Sequence, residues 1–370
     1  MATKSILKEP QKRLYSLDAL RGFDMFWITG GGALAIIISK FTGADWLANQ
    51  MHHVKWEGFR FQDLIFPLFM FIAGVAIPFA VKTRLENKVP KRKLFWKVFK
   101  RMAILILLGV LYNGTFKGGF SDGRIASVLG QIGIGYFFAS LIVIYSRSFK
   151  SRLYWLAGIL VGFGIIQLLI PVPEFGAGIL TKEGCINGYL DRLFLPGKLY
   201  GGTFDPEGIL CSLSATGITL MGTIAGNILR KKETTDWQKI SYMSITGVGL
   251  VGLALVLSPI YPIIKSCWTS TFNLLTGGIS FLLMALFYLI IDHWGFKGWA
   301  FYFRIIGMNS IFVYMATRII NFHGISEFFL GWLTVPLGEN AKGLVLAIGT
   351  LAAIWVLLYY MYKKKIFLRV

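Results

Sequence analysis

Acidic residues are scarce in this chain. Its 370 residues hold 18 Asp and Glu against 38 Lys and Arg, and charged residues of both signs make up only 15%. Hydrophobic residues supply 55%. That balance excludes a disordered segment or an ordinary soluble domain, which need far more charge. Strand alternation is absent, which excludes a membrane β-barrel. Histidine is rare (four residues) and so is cysteine (three), and no Cys/His spacing resembles a metal site. The chain opens on a polar, basic segment followed by a long apolar span, which is not the pattern of a cleavable signal peptide. No internal repeat is visible, which weakens an inverted-repeat transporter reading.

What remains is apolar length. Stretches of about 20 residues, each able to cross roughly 30 Å of hydrocarbon as a helix, occur near 19–39, 60–81, 98–113, 125–145, 153–171, 208–229, 240–258, 270–291, 302–320 and 342–362. The expectation is an all-α polytopic membrane protein of about ten transmembrane helices. It forms a single domain over 1–370, with 1–18 as a cytoplasmic N-terminal segment. The formal net charge of +20 could point to nucleic acid, but its distribution does not. Segments placed inside by this topology carry most of the Lys and Arg, nine of them in 82–101 alone. This is the positive-inside bias, so both termini are expected in the cytoplasm, and the basic runs KVPKRK and YKKK serve as anchors at an anionic leaflet. The longest connection, 172–207, falls outside; its aromatic and apolar content suits an ordered lid. Cys185 and Cys267 fall in outer loops, where a disulfide between them is chemically open.

Polar residues inside apolar spans carry the functional signal. His52 and His53 precede a span holding Asp63 and Pro67. Histidine is suited to proton transfer near neutral pH, and Pro67 frees the backbone carbonyl of Asp63. Asp63 also fits simply as an acid at a helix N-terminus. Asp18 and Arg21, three apart, form either an inner ion pair or a lining for an anionic ligand. Gly30, Gly31 and Gly32 then permit a helix break or a close approach. Arg124, Ser127 and Gln131 share a helix face, as do Ser310, Tyr314 and Arg318 after Asn309; interhelical hydrogen bonding explains both stripes as simply as a ligand does. In TFDPEG, Asp205 fits an N-cap and Pro206 the first helical position, leaving Glu207 over.

Seven segments in order resemble one known family: LDALRG (17–22), HHVKWEG (52–58), DLIFPLFMFIAG (63–74), GYLDRLFL (188–195), FDPEGIL (204–210), GMNSIFVY (307–314) and YKKKIFLRV (362–370). They are similar to the heparan-α-glucosaminide N-acetyltransferases, transmembrane enzymes that carry acetyl from cytosolic acetyl-CoA to an amine on the far side. The resemblance implies that fold, acetyl-CoA as donor, and an amino sugar or glycan as acceptor. It also implies an integral multi-pass protein of a bacterial inner membrane, with no nucleic-acid partner, no metal and a homodimer in view. The family's active histidine stands three residues before the motif tryptophan, which selects His53 before Trp56. Arg124 is kept from the family's fourth-span motif, but Gln131 stands where an arginine is common. The segment resembling the lumenal N-terminal domain and extra first span is not seen.

The expected site follows from these residues. His53, Asp63 and Asn309 are the candidate catalytic groups, as base or acetyl carrier, orienting acid and oxyanion donor. Trp56, Arg124, Asp205 and Glu207 are the candidate acceptor contacts. Asp18, Arg21, Gln131 and Ser310 are the candidate acetyl-CoA contacts. O-acetylation of a cell-surface glycan and proton-coupled transport of a small solute are the competing functions.

Overall fold

The computed structural model describes residues 14–115, 123–146 and 148–368. Among these the chain is helical, with three isolated β-bridges and no strand. The basic stretch 1–13, Lys117, Arg147 and Arg369, which entered the charge distribution above, lie outside the described residues. Eight runs are long and apolar enough to cross a membrane: Tyr15–Thr42, Phe61–Glu86, Val128–Tyr145, Phe149–Leu169, Ile209–Arg230, Asp236–Leu257, Ser270–His293 and Glu339–Lys363. The protein is therefore an integral, multi-pass membrane protein.

Two of the ten expected spans fall outside this set for physical reasons. The stretch 98–113 is the second half of a 23-residue helix, Lys91–Asn113, whose first turns are basic. The stretch 302–320 is two helices, Ala300–Met308 and Ser310–Ile319, interrupted at Asn309, where the backbone leaves helical geometry (φ −127°, ψ 36°).

Numbered in chain order, the helices are α1 (Tyr15–Phe26), α2 (Gly32–Thr42), α3 (Asp45–Gln50), α4 (Phe61–Ile77), α5 (Thr83–Glu86), α6 (Lys91–Asn113), α7 (Val128–Tyr145), α8 (Phe149–Leu169) and α9 (Ile186–Phe194). There follow α10 (Ile209–Ser214), α11 (Thr216–Arg230), α12 (Asp236–Leu257), α13 (Ser270–Phe287), α14 (Ala300–Met308), α15 (Ser310–Ile319), α16 (Phe322–Thr334) and α17 (Glu339–Lys363). Burial separates centre from rim. The runs containing α4 and α11 are 83% and 89% buried, whereas α8 and α12 are 22% buried and face outward.

Backbone contact holds the centre together. A Cβ on Gly222 of α11 would stand 2.0 Å from the Phe71 carbonyl oxygen of α4, and one on Gly74 would stand 2.0 Å from that of Thr219. Apolar side chains give little driving force between helices in lipid, so such close approach carries the association. The same device joins α1 to α14: a Cβ on Gly307 would lie 1.9 Å from the Asp18 carbonyl oxygen. Of the glycine trio, Gly30 supplies a break. It takes φ 156° inside a π turn, Trp27–Gly31, that separates α1 from α2.

Four connections meet at one end of the bundle. The loop 51–60 pairs with 258–269 through Gly58 N–H to the Ile263 carbonyl (2.9 Å) and a bridge between Glu57 and Ile264. The long 170–208 connection contains α9 and pairs with the segment before α7 at Arg124 and Gly197. It is an ordered cover, as its composition suggested. Cys185, Cys211 and Cys267 lie buried beneath it as free thiols, with Cys185 and Cys267 hydrogen-bonded side by side rather than cross-linked.

The α4–α11 seam gives a direct stability test. Gly222→Ala forces the two backbones apart and should cost about 1–3 kcal/mol, read as a lowered Tm in detergent. Gly249→Ala, where an added Cβ meets open space, should leave Tm unchanged.

Candidate active site

The site is built around one carboxylate. Asp63 sits in the first turn of α4, where free backbone N–H groups favour an anion. Its Oδ2 accepts the N–H groups of Arg60 (3.1 Å) and Val54 (3.4 Å), and its Oδ1 faces His53 Nδ1 at 2.7 Å. Lys265 Nζ, from the 258–269 loop, lies 3.4 Å from the same Oδ1 and 3.0 Å from His53 Nδ1. The Asp63 side chain is fully buried, while that of His53 is 53% exposed. Four donor groups converge on Asp63; in the neutral ring with its proton on Nδ1, His53 donates to Oδ1 and Lys265 bonds that same oxygen, its approach to Nδ1 being a contact of two donors and not a hydrogen bond. His53 Nε2 is then an unprotonated lone pair on the exposed side of the ring. One carboxylate thus accepts the Arg60 N–H at the helix start and faces the His53 ring. His52, beside it, is exposed and joins none of these bonds.

Lys265 had no distinguishing sequence signal beyond being a single cation in an apolar, aromatic loop. Burial drives its ammonium below the ordinary lysine range, opposed by Asp63 and Glu207. The Glu207 carboxylate is correspondingly pushed up by burial and held back by Arg124. Lys265 thus joins the His53–Asp63 pair to a second cluster.

That cluster is Arg124, Asp205 and Glu207. Arg124 grips Asp205 side-on, Nε to Oδ2 at 2.8 Å and Nη2 to Oδ1 at 2.6 Å, and Nη2 also bonds Glu207 Oε2. Planar guanidinium matches carboxylate in this bidentate way. Tyr200 and Glu207 donate their backbone N–H groups to Asp205, each at 3.0 Å. Asp205 is therefore not the cap of the following helix. α10 starts at Ile209 with Gly208 as N-cap, because Asp205 is drawn to Arg124 instead. The helix start is met from a distance by Asp191 of α9, which accepts Ile209 N–H (2.9 Å) on Oδ1 and Asp205 N–H (3.3 Å) on Oδ2.

Trp56 fixes the rim. Its Nε1–H donates to the Leu180 carbonyl (2.7 Å) and its ring meets Phe204 edge-on at 4.9 Å. Its indole N–H is occupied, so only the ring is offered to a ligand.

The remaining candidates lie elsewhere. Gly343 packs on Ile37 and Leu351 on Gly30, so α17 runs antiparallel to α2 and its C-terminal extension emerges remote from His53. Asn309 binds that extension, donating to the Ile366 carbonyl (3.1 Å) and accepting from Leu368 N–H (2.9 Å). Both ends of its amide are engaged there, which removes the basis for an oxyanion role beside His53. Ser310 is buried next to it. Asp18 and Arg21 pair at 3.4 Å toward the same remote end, where Ser16 N–H bonds Asp292 (3.1 Å). Gln131 is buried and donates to the Cys211 carbonyl (3.1 Å), the interhelical alternative. Between these groups and His53 the helices enclose an apolar cavity of about 30 Å³, lined by Ile28, Phe66, Leu129, Ile311 and Tyr314 among others. Among the described residues no His, Cys, Asp or Glu group is arranged to hold a metal ion.

Asp191 carries a pH signature. Burial pushes its carboxyl up to about 6, against the two N–H groups that stabilise the anion. A raised acid binds more protons folded than unfolded, so its contribution to stability falls as pH rises from about 4 to 6. Relative to Asp191→Asn, the wild-type protein should gain Tm as pH is lowered through that window; an offset independent of pH would contradict the assignment.

Comparison with known proteins follows the same residues. A family model described as a domain of unknown function, DUF5009, matches residues 13–170, the stretch that holds His53, Asp63 and Arg124. The human heparan-alpha-glucosaminide N-acetyltransferase is 28% identical over 97% of this chain. The mouse protein of the same name is 25% identical over 98%. The chain spans 60% and 62% of the lengths of these two relatives. The likeness first seen in seven short segments thus runs through nearly all of the chain, and the protein is a relative of the heparan-α-glucosaminide N-acetyltransferases.

Proposed function

We propose that the protein is a transmembrane N-acetyltransferase that moves acetyl from cytosolic acetyl-CoA to the amine of a glucosamine-type sugar at the outer face. The observation that carries this reading is the His53–Asp63 pair: a buried carboxylate fixing a half-exposed imidazole with its free nitrogen outward. In the proposed orientation both termini are cytoplasmic and the His53 end faces out, in an inner membrane if the cell is bacterial.

An amine attacks a thioester only when deprotonated. His53 Nε2 accepts the proton as the amine nitrogen bonds to the acetyl carbon. The C–S bond then breaks and CoA leaves as the thiolate, which is protonated from the imidazolium. Asp63 holds the tautomer and balances the transient charge. Glu207, partly open beside Arg124, is placed to bind an ammonium or a sugar hydroxyl, and the Trp56 ring suits a sugar face. Nε and Nη2 of Arg124 are taken by two carboxylates, so that edge of the guanidinium acts by holding Glu207 and Asp205. The carboxylates around the mouth favour an amino sugar over a sulfated polymer, whose anions would be repelled. Transfer through an acetyl-His53 intermediate uses the same groups in two steps.

Purified protein mixed with acetyl-CoA and glucosamine should release free thiol and form the N-acetyl sugar. No release with any amino-sugar or hydroxyl acceptor would sink the proposal. His53→Ala should lower kcat by about 10²–10⁴-fold while the protein stays folded, and Asp63→Asn, which spoils the tautomer, should lower it by at least about 10²-fold. Glu207→Gln should mainly raise KM for the sugar. CoA release from acetyl-CoA alone, in single turnover, selects the acetyl-histidine route.

A further inference from the structure

The end of the bundle remote from His53 holds a cavity of about 730 Å³ that none of the chemistry above uses. Its walls come from the inner end of the Phe61–Glu86 run, the start of α8, the end of α11 and the Lys231–Thr234 turn. Five cations line it: Lys82, Arg152, Arg230, Lys231 and Lys232. Arg230 is neutralised by Glu86, with a further bond to Thr83 Oγ1 at 3.3 Å. Lys82 feels Glu86 only beyond ion-pair contact, and among the described residues Arg152, Lys231 and Lys232 have no carboxylate partner. The one acid in the wall, Glu233, is exposed and makes no ion pair with a described residue.

Arg152 is the telling residue. It is 7% exposed, and its Nε is buried without a hydrogen-bond partner. A guanidinium buried at a membrane edge without a counter-charge is costly, and in such positions it marks an anion site. The start of α8, where Ser148 Oγ already accepts the Ser151 N–H (3.1 Å), brings Ser148 and Phe149 to the same wall.

The cavity does not end at the charges. It shares Phe149, Ile228 and Tyr242 with an apolar cleft of about 470 Å³ that continues between α8 and α12 past Leu153, Leu156 and Ile245. A basic mouth that opens into an apolar cleft along an outward-facing helix has the polarity of one molecule, a phosphate joined to hydrocarbon. A free phosphate or a nucleotide would leave the cleft unfilled. We infer that this is a binding site for one anionic phospholipid of the adjoining leaflet, its headgroup phosphate on Arg152, Lys82 and the Lys231–Lys232 pair and an acyl chain between α8 and α12.

Native mass spectrometry of the detergent-purified protein with added phosphatidylglycerol or phosphatidylcholine tests this. One phosphatidylglycerol should be retained at least tenfold more strongly than phosphatidylcholine. Arg152→Gln should abolish the preference. The exposed pair Lys231→Gln/Lys232→Gln, which cannot disturb the core, should weaken it roughly tenfold or more. Equal retention of the two lipids, or an unchanged preference in both variants, would overturn the site. So would displacement of the bound lipid by millimolar CoA or inorganic phosphate, which would assign the cations to a soluble phosphate instead. Because lipid retention is read without turnover, its failure is distinguishable from failure of the acetyltransferase reading.

Discussion

The Asp63 carboxylate is the constraint on which the rest of the site depends. Removing a carboxylate from water costs several kcal/mol unless its lone pairs are met by donors of good geometry. Here the donors come from three separate places: the Arg60 N–H at the start of α4, the Val54 N–H and His53 from the preceding loop, and Lys265 from the connection between α12 and α13. Satisfying one charge therefore pins two loops to one helix end. It also decides the chemistry, since an acceptor on the Nδ1 side leaves Nε2 as the only basic position of the ring.

The second cluster follows the same logic with the sign reversed. Arg124 is a partly buried cation whose Nε and Nη2 are bound by Asp205 and Glu207. The two clusters meet where Lys265 and Glu207 attract each other. The buried and partly buried groups at this end include four carboxylates, Asp63, Asp191, Asp205 and Glu207, and two cations, Arg124 and Lys265, with Lys182 exposed over the Trp56 ring at the rim. An anionic acceptor would add to that excess and an amine would relieve it. The acceptor class is thus argued from charge at the mouth, independently of the likeness to known enzymes.

How much was legible in the sequence depended on the range of the interaction. His53 and Asp63 are ten residues apart and flank one helix start, so local rules placed both. The pairing of Arg124 with Asp205 spans 81 positions and that of Lys265 with His53 spans 212. No local pattern encodes such distances, so Asp205 resembled an N-cap and Lys265 an ordinary loop cation. Asp191 answered the helix start that Asp205 left. Asn309 illustrates the opposite failure: a polar residue within an apolar stretch suggested chemistry, but it marks a helix break whose freed amide ties down the C-terminal segment. Hydropathy measures apolar length and is blind to such breaks, which is why the expected span 302–320 is two helices, while 98–113 belongs to one helix whose first turns are basic.

One helix sets the depth of everything else. From Asp63 to Lys82 the Phe61–Glu86 run rises roughly 30 Å at 1.5 Å per residue, the thickness of a hydrocarbon core. Its ends carry the oriented histidine pair and the basic cavity, so each polar group sits at its own membrane surface. The glycine seam with α11 prevents the helix from sliding between them. On the proposed function the donor would therefore come to His53 rather than His53 to the donor. The apolar cavity beneath the site includes Ile28, which belongs to the π turn where Gly30 interrupts the first span. A helix already broken at that depth can shift its side chains without losing an intact hydrogen-bond ladder, whereas the continuous, tightly packed α4 and α11 cannot.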